Sequence, residues 1–106
     1  MENLSPETWK QQYAAHGRAV ILDVRTPQEW EEGIIPGAIQ LDIQNPGSFM
    51  DGLATLEKDK AYFVYCRAGG RSAQACMILE SQGFPETYNL DGGVMAWTDG
   101  LVDPQS

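Results

Sequence analysis

The sequence predicts an α/β fold, a central and mainly parallel sheet of about five short strands with helices on both faces. Three observations carry that expectation. Two continuous apolar runs, Ala19 to Val24 and Ala61 to Tyr65, have the composition of strands buried on both faces rather than the alternation of a half-exposed sheet. Each run is followed by a helix start, Thr26-Pro27-Gln28-Glu29 after the first and a glycine-bearing loop opening into Ser72 after the second. Strands that alternate with helices run in the same direction, because each helix carries the chain back across the sheet. At 106 residues, with 42% hydrophobic content, the chain is long enough to bury one core without staples, so residues 1–106 read as one domain.

Taken in order, Ser5-Pro6-Glu7-Thr8-Trp9 starts a first helix, with serine as N-cap, proline at N1 and an acid in the first turn. It is expected to reach Ala15 and to end at His16-Gly17, which makes His16 a surface residue near a helix end. The strand 19–24 follows and closes on Asp23-Val24-Arg25. Thr26 and Glu29 form a capping box with proline at N1, starting a short helix that Gly33 terminates and whose core contact is Trp30. Asp23 and Arg25 read as a structural ion-pair network at the strand end. Ile34 to Gly37 is a turn, 38–42 a second short strand, and Asn45-Pro46-Gly47-Ser48 a loop with a further N-cap. Apolar residues at 49, 50, 53 and 56 fit one face of a helix over 49–56. After the strand 61–65, the pattern from Ser72 to Gln82 is a helix closed by Gly83, with Ala73, Cys76, Met77 and Leu79 inward. Thr87 to Leu90 is a strand, and Asp91-Gly92-Gly93 leads a last short helix around Val94 to Trp97.

The stretch Tyr65-Cys66-Arg67-Ala68-Gly69-Gly70-Arg71-Ser72 carries the chemistry. It places a cysteine at the end of a buried strand, in a loop that opens a helix. Unpaired amides and the positive end of the helix dipole stabilise an anion there, and the nearest candidate is the Cys66 thiolate. Fifteen acidic residues against seven basic give a net charge of −8, which argues against nonspecific binding to nucleic acid or anionic membranes and makes the Arg67 and Arg71 cluster more informative. With two cysteines and one histidine, the spacing fits no metal site and no redox pair, so no metal and no cofactor are expected, and Cys76 reads as a small core residue. The start lacks the regions of a signal peptide and no run is long enough to span a membrane, so the expected location is cytoplasmic.

Four motifs, in order, resemble the single-domain rhodaneses, thiosulfate or persulfide sulfurtransferases. They are Leu22-Asp23-Val24-Arg25-Thr26-Pro27-Gln28-Glu29-Trp30, then Gly33-Ile34-Ile35-Pro36-Gly37-Ala38-Ile39, then Cys66 to Arg71, and finally Leu90-Asp91-Gly92-Gly93-Val94-Met95-Ala96-Trp97. The likeness covers about 5–101 and departs at Ile34, where the family often has histidine. It implies that Cys66 takes sulfur from thiosulfate or a persulfide and passes it to cyanide or a thiol, possibly one on a protein. The resemblance assigns the donor site to the loop Arg67, Ala68, Gly69, Gly70 and Arg71, supported by Asp23, Arg25 and Ser72. Two alternatives stay open, a persulfide carrier or interaction module acting on a protein partner, and a cysteine phosphatase or arsenate reductase. The phosphatases that resemble rhodanese place arginine six positions after cysteine, whereas Arg71 lies five positions after Cys66 and Ser72 takes the sixth. A monomer or weak dimer is expected.

Overall fold

A computed structural model describes residues 1–104. Its elements are β1 (Glu2–Leu4), α1 (Pro6–Ala15), β2 (Ala19–Asp23), α2 (Pro27–Trp30), β3 (Ile39–Gln40), α3 (Pro46–Leu53), β4 (Ala61–Tyr65), α4 (Gly70–Ser81) and β5 (Glu86–Leu90), followed by a 3-10 turn at Gly93–Ala96. The five strands form one sheet in the order β1-β5-β4-β2-β3, and every neighbouring pair is parallel. All five residues of β4 are buried, as the apolar run requires of a central strand covered on both sides.

Successive side chains of β4 point to opposite faces and enter two separate cores. Tyr62 and Val64 join Leu22, Phe49, Leu53, Cys76 and Leu79 under α3 and α4. Ala61, Phe63 and Tyr65 join Ile21 and Leu90 under α1. Trp9 anchors that second layer, edge-on to Phe63 at 5.7 Å and to Trp97 at 5.5 Å between ring centroids. Two of the expected helix starts are realised: the Thr8 amide donates to Ser5 Oγ at 3.3 Å, and Thr26 and Glu29 exchange the two hydrogen bonds of a capping box, whereas Asn45 makes no side-chain cap bond and α4 starts at Gly70, two residues before Ser72. No helix among the described residues is long and apolar enough to cross a membrane.

The departures have physical causes. The strand β1 was not expected, since Glu2 and Asn3 are exposed and nothing local favours a strand; its register against Tyr88, Asn89 and Leu90 of β5 holds it. The strand expected over 38–42 shrinks to Ile39–Gln40, because only two of its residues pair with β2. Pro46 starts α3 three residues before the apolar pattern does, and Met50 is 39% exposed rather than inward. Likewise Met77 is 65% exposed, because Ser72, Ala75, Cys76 and Leu79 define the buried stripe of α4 at helical spacing. Trp30 is half-buried and belongs to neither core.

Candidate active site

Ligands of parallel α/β sheets bind beyond the carboxyl ends of the strands. Cys66 stands there, immediately after the central strand β4 and only 1% exposed. The chain then turns tightly into α4, with Gly69 at the N-cap position and a left-handed φ of 108° that favours glycine. This turn brings the Gly69 amide to 3.1 Å from Cys66 Sγ, and the Ser72 hydroxyl, from the first turn of α4, to 3.3 Å. The same hydroxyl lies 3.2 Å from the Gly69 carbonyl, so its single proton turns to sulfur when the sulfur is charged.

The back of the loop is tied off. Val94 and Met95 donate their amides to the carbonyls of Cys66 and Arg67 at 3.0 and 3.1 Å, and Asn89 Nδ2 donates to the Gly69 carbonyl at 3.2 Å. Gly93 makes this possible, since a Cβ there would fall 2.3 Å from the Arg67 oxygen and its φ of 58° is left-handed. With carbonyls held behind, loop amides face the sulfur, the arrangement of an anion-binding nest. Burial disfavours the Cys66 thiolate, but hydrogen bonds from the Ser72 side chain and from the amides of Ser72, Gly69 and Ala68 outweigh it and hold the thiol below its ordinary value. Burial pushes the Cys76 thiol the other way, up to about 12, so it stays protonated in the core at neutral pH.

Ser72→Ala removes a donor to the charged form. We expect the pKa governing Cys66 alkylation to rise. Because the thiol is depressed, the thiolate is lost as pH falls through its pKa, so the acid limb of the rate profile moves to higher pH in the variant. An unchanged limb would show that the hydroxyl gives the thiolate no support.

The arginines stand differently from expectation. Arg71 points its fork at Glu29, Nη1 to Oε1 at 2.7 Å and Nη2 to Oε2 at 2.9 Å. Arg67 is exposed and lines an open pocket with Arg25, Glu29, Glu32, Val94, Met95 and Leu101. Ala68 and Gly70 are exposed on the outer side of the loop. Behind the loop, buried Asp23 accepts from Arg25 Nη2 at 2.7 Å and from the Tyr65 hydroxyl at 2.6 Å. Arg25 also donates to the Gly33 carbonyl at 2.7 Å, and Tyr65 accepts the Ile35 amide at 3.0 Å. Asp23 and Arg25 thus form the structural network expected of them, pinning the 33–35 turn against β4. Ile34, where the family often has histidine, is buried and bridges Val102 in an antiparallel pair.

The structure places Cys66, Gly69 and Ser72 together. The sequence missed Glu29, Asn89, Gly93 and the 94–95 amides as parts of the same site. Glu29 was visible only as a helix cap, while the C-terminal motif gave no local reason to touch the loop.

A family model for the rhodanese-like domain matches residues 5–99, most of the chain, with Cys66 and its loop inside the match. The chain belongs to the rhodanese-like domain family. The Bacillus subtilis protein YtwF is 36% identical to it over 106 residues, covering 100% of this chain and 98% of that one. A protein named sulfurtransferase from Allochromatium vinosum is 35% identical over 97 residues, 92% of this chain and 88% of its own. Among solved structures, a rhodanese-like domain protein from Staphylococcus aureus superposes with a TM-score of 0.82 at 30% identity, covering 96% of this chain and 97% of that one. The rhodanese-like match therefore extends from the start of α1 to the C-terminal motif that braces the Cys66 loop.

Proposed function

We propose that this rhodanese-like chain is a sulfurtransferase that carries sulfane sulfur as a persulfide on Cys66. The observation that carries the reading is the Cys66 sulfur held at the N-terminus of α4 with the Gly69 amide and Ser72 hydroxyl aimed at it. The Cys66 thiolate attacks the outer sulfur of a donor. With thiosulfate, an S–S bond to Cys66 forms, the donor's S–S bond breaks, and sulfite leaves with the electron pair. The resulting perthiolate is an anion held by the same donors that hold the thiolate. Cyanide or a thiolate then attacks the outer sulfur, forming thiocyanate or a new persulfide and returning Cys66 as thiolate. A protein thiol fits the acceptor role equally, since the second step needs only a nucleophilic sulfur. A phosphatase is less well served, because Glu29 already occupies the Arg71 fork that a phosphate would require.

Intact-mass measurement after exposure to thiosulfate or an organic persulfide tests the reading. One added sulfur atom on Cys66, removed by cyanide with release of thiocyanate, is the expected result; no added sulfur from either donor would refute it. The buried, protonated Cys76 takes no part, so Cys76→Ala is expected to load sulfur at a rate within about twofold of the parent, the loss being confined to core packing. A folded Cys76→Ala protein that no longer loads would assign that thiol a chemical role.

A further inference from the structure

Asparagine is an uncommon residue for a buried strand, because its amide must find partners there. Asn89 sits in β5 and is only 3% exposed. Thr87 and Asn89, two residues apart, point to the face of the sheet that α4 covers. Thr87 donates its hydroxyl to Glu80 near the end of that helix at 2.8 Å, and Asn89 meets Gly69 at its start. Asn89 Nδ2 donates to the Gly69 carbonyl at 3.2 Å and to Asn3 Oδ1 at 2.9 Å. Its Oδ1 is buried and finds no donor among the described residues. Turning the amide over would set that oxygen against the Gly69 carbonyl, so the Nδ2 orientation is the one the site requires. A leucine of similar volume would fill the place without an orphaned oxygen, and what Asn89 supplies is therefore a donor.

That donor lands on a crowded acceptor. The Gly69 carbonyl receives the Ala73 amide at 3.1 Å and the Asn89 amide at 3.2 Å, and it stands 3.2 Å from the Ser72 hydroxyl. A carbonyl oxygen has two lone pairs, and Ala73 with Asn89 fills both. The hydroxyl has one proton to give, and its other neighbour is Cys66 Sγ at 3.3 Å. Ser72 is fully buried, which keeps bulk water from competing for that proton. Burial works against the Cys66 thiolate, and the Ser72 hydroxyl leads the donors that offset it. Without the Asn89 amide the carbonyl would have a lone pair vacant and would draw the proton away from sulfur. We infer that Asn89 is a positioning residue for the Cys66 thiolate: by filling the Gly69 carbonyl from β5, it commits the single Ser72 proton to the sulfur. Asn89 hydrogen-bonds no reacting atom and acts through Gly69 and Ser72. The other titratable groups that act on Cys66 are Arg71, which is paired with Glu29, and the protonated Cys76, and Asn89 bonds to neither. The bearing on sulfur transfer rests on the sulfurtransferase reading and deepens it, whereas the state of the thiol is read with no sulfur donor present.

The test is the pH dependence of Cys66 alkylation by iodoacetamide, located by peptide mass so that Cys76 is not counted. Asn89→Leu is expected to move the acid limb to higher pH, because the thiolate loses a donor and its depressed pKa rises. Ser72→Ala moves the limb the same way. Asn89→Leu added to Ser72→Ala is expected to move it no further, since no hydroxyl is left to redirect. Above the limb, Asn89→Leu is expected to react within about threefold of the parent, because thiolate reactivity changes little with a modest change of pKa. A limb unchanged in Asn89→Leu overturns the inference, and so does an equal further shift in the Ser72→Ala background. A plateau raised by about tenfold or more overturns it too, since that reports a loop that has opened and exposed the sulfur. Should Asn89→Leu fail to fold, NMR decides without it: the Asn89 Nδ2 proton resonances must move with the Cys66 titration in the parent and move far less in Ser72→Ala. Resonances indifferent to that titration, or equally responsive in both proteins, overturn the inference. Intact mass after exposure to thiosulfate or an organic persulfide separates the two readings. A protein that takes up no sulfur yet couples Asn89 to Ser72 in this way loses the sulfurtransferase reading and keeps the inference; sulfur loading without that coupling does the reverse.

Discussion

Cys66→Ala is expected to lower sulfur transfer by at least about 10³-fold while the fold survives, because the variant lacks the atom on which the sulfur is carried. The side chain is small and belongs to the same core as Val24 and Val64. Trimming it to alanine removes one buried sulfur, a cost of about 1 kcal/mol. The Gly69 amide and Ser72 hydroxyl lose an acceptor, but the Ser72 hydroxyl keeps the Gly69 carbonyl as partner. Circular dichroism should therefore give a melting point within a few degrees of the parent, and mass spectrometry should find no added sulfur. Sulfur transfer that survived the substitution would place the chemistry elsewhere in the molecule.

The largest stability effect is expected at the Asp23–Arg25 pair. Both side chains are buried, Asp23 completely, and the carboxylate takes three close hydrogen bonds from Arg25 side-chain nitrogens. Arg25→Ala leaves that carboxylate with the Tyr65 hydroxyl and one backbone amide, and it frees the Gly33 carbonyl as well. Removing one partner of a buried pair costs about 3–5 kcal/mol, which in a domain of this size lowers the melting temperature on the order of 20 °C. Replacing both members, Asp23→Leu with Arg25→Met, should recover much of the loss, since no charge is then left buried alone. A single Arg25→Ala variant that melts within a few degrees of the parent would show that the pair contributes little. Recovery in the double variant, with sulfur loading retained, would assign the pair to structure and not to chemistry.

What the sequence made legible was local. The continuous runs at 19–24 and 61–65 told of buried strands, and the Thr26 to Glu29 box told of a helix start, because a few adjacent residues determine each of these features. Cys66 was legible for the same reason, as a cysteine between a strand and a helix. The rest depends on approach across the chain. Asn89 meets Gly69 only because β5 lies beside β4. Gly93 closes on Arg67 from a turn that sequence describes merely as glycine-rich. Glu29 carried two roles at one position, and its helix-capping pattern hid its ion pair with Arg71, 42 residues away in the chain. Met77 lies outward because the phase of α4, set by Ser72, Ala75, Cys76 and Leu79, turns it to solvent, and Trp30 stands half-buried without joining either core.

The sheet's outer strands are short, β1 with three residues and β3 with two. An edge strand presents a row of unpaired backbone groups, and a second chain can extend the sheet by pairing along it. Here each edge offers too brief a row for such addition to gain many hydrogen bonds. The long, apolar strands, β2 and β4, which would make the most adhesive borders, lie inside with partners on both sides. The order of strands therefore does more than set Cys66 at the end of the central strand: it also keeps the most aggregation-prone segments away from other copies of the chain.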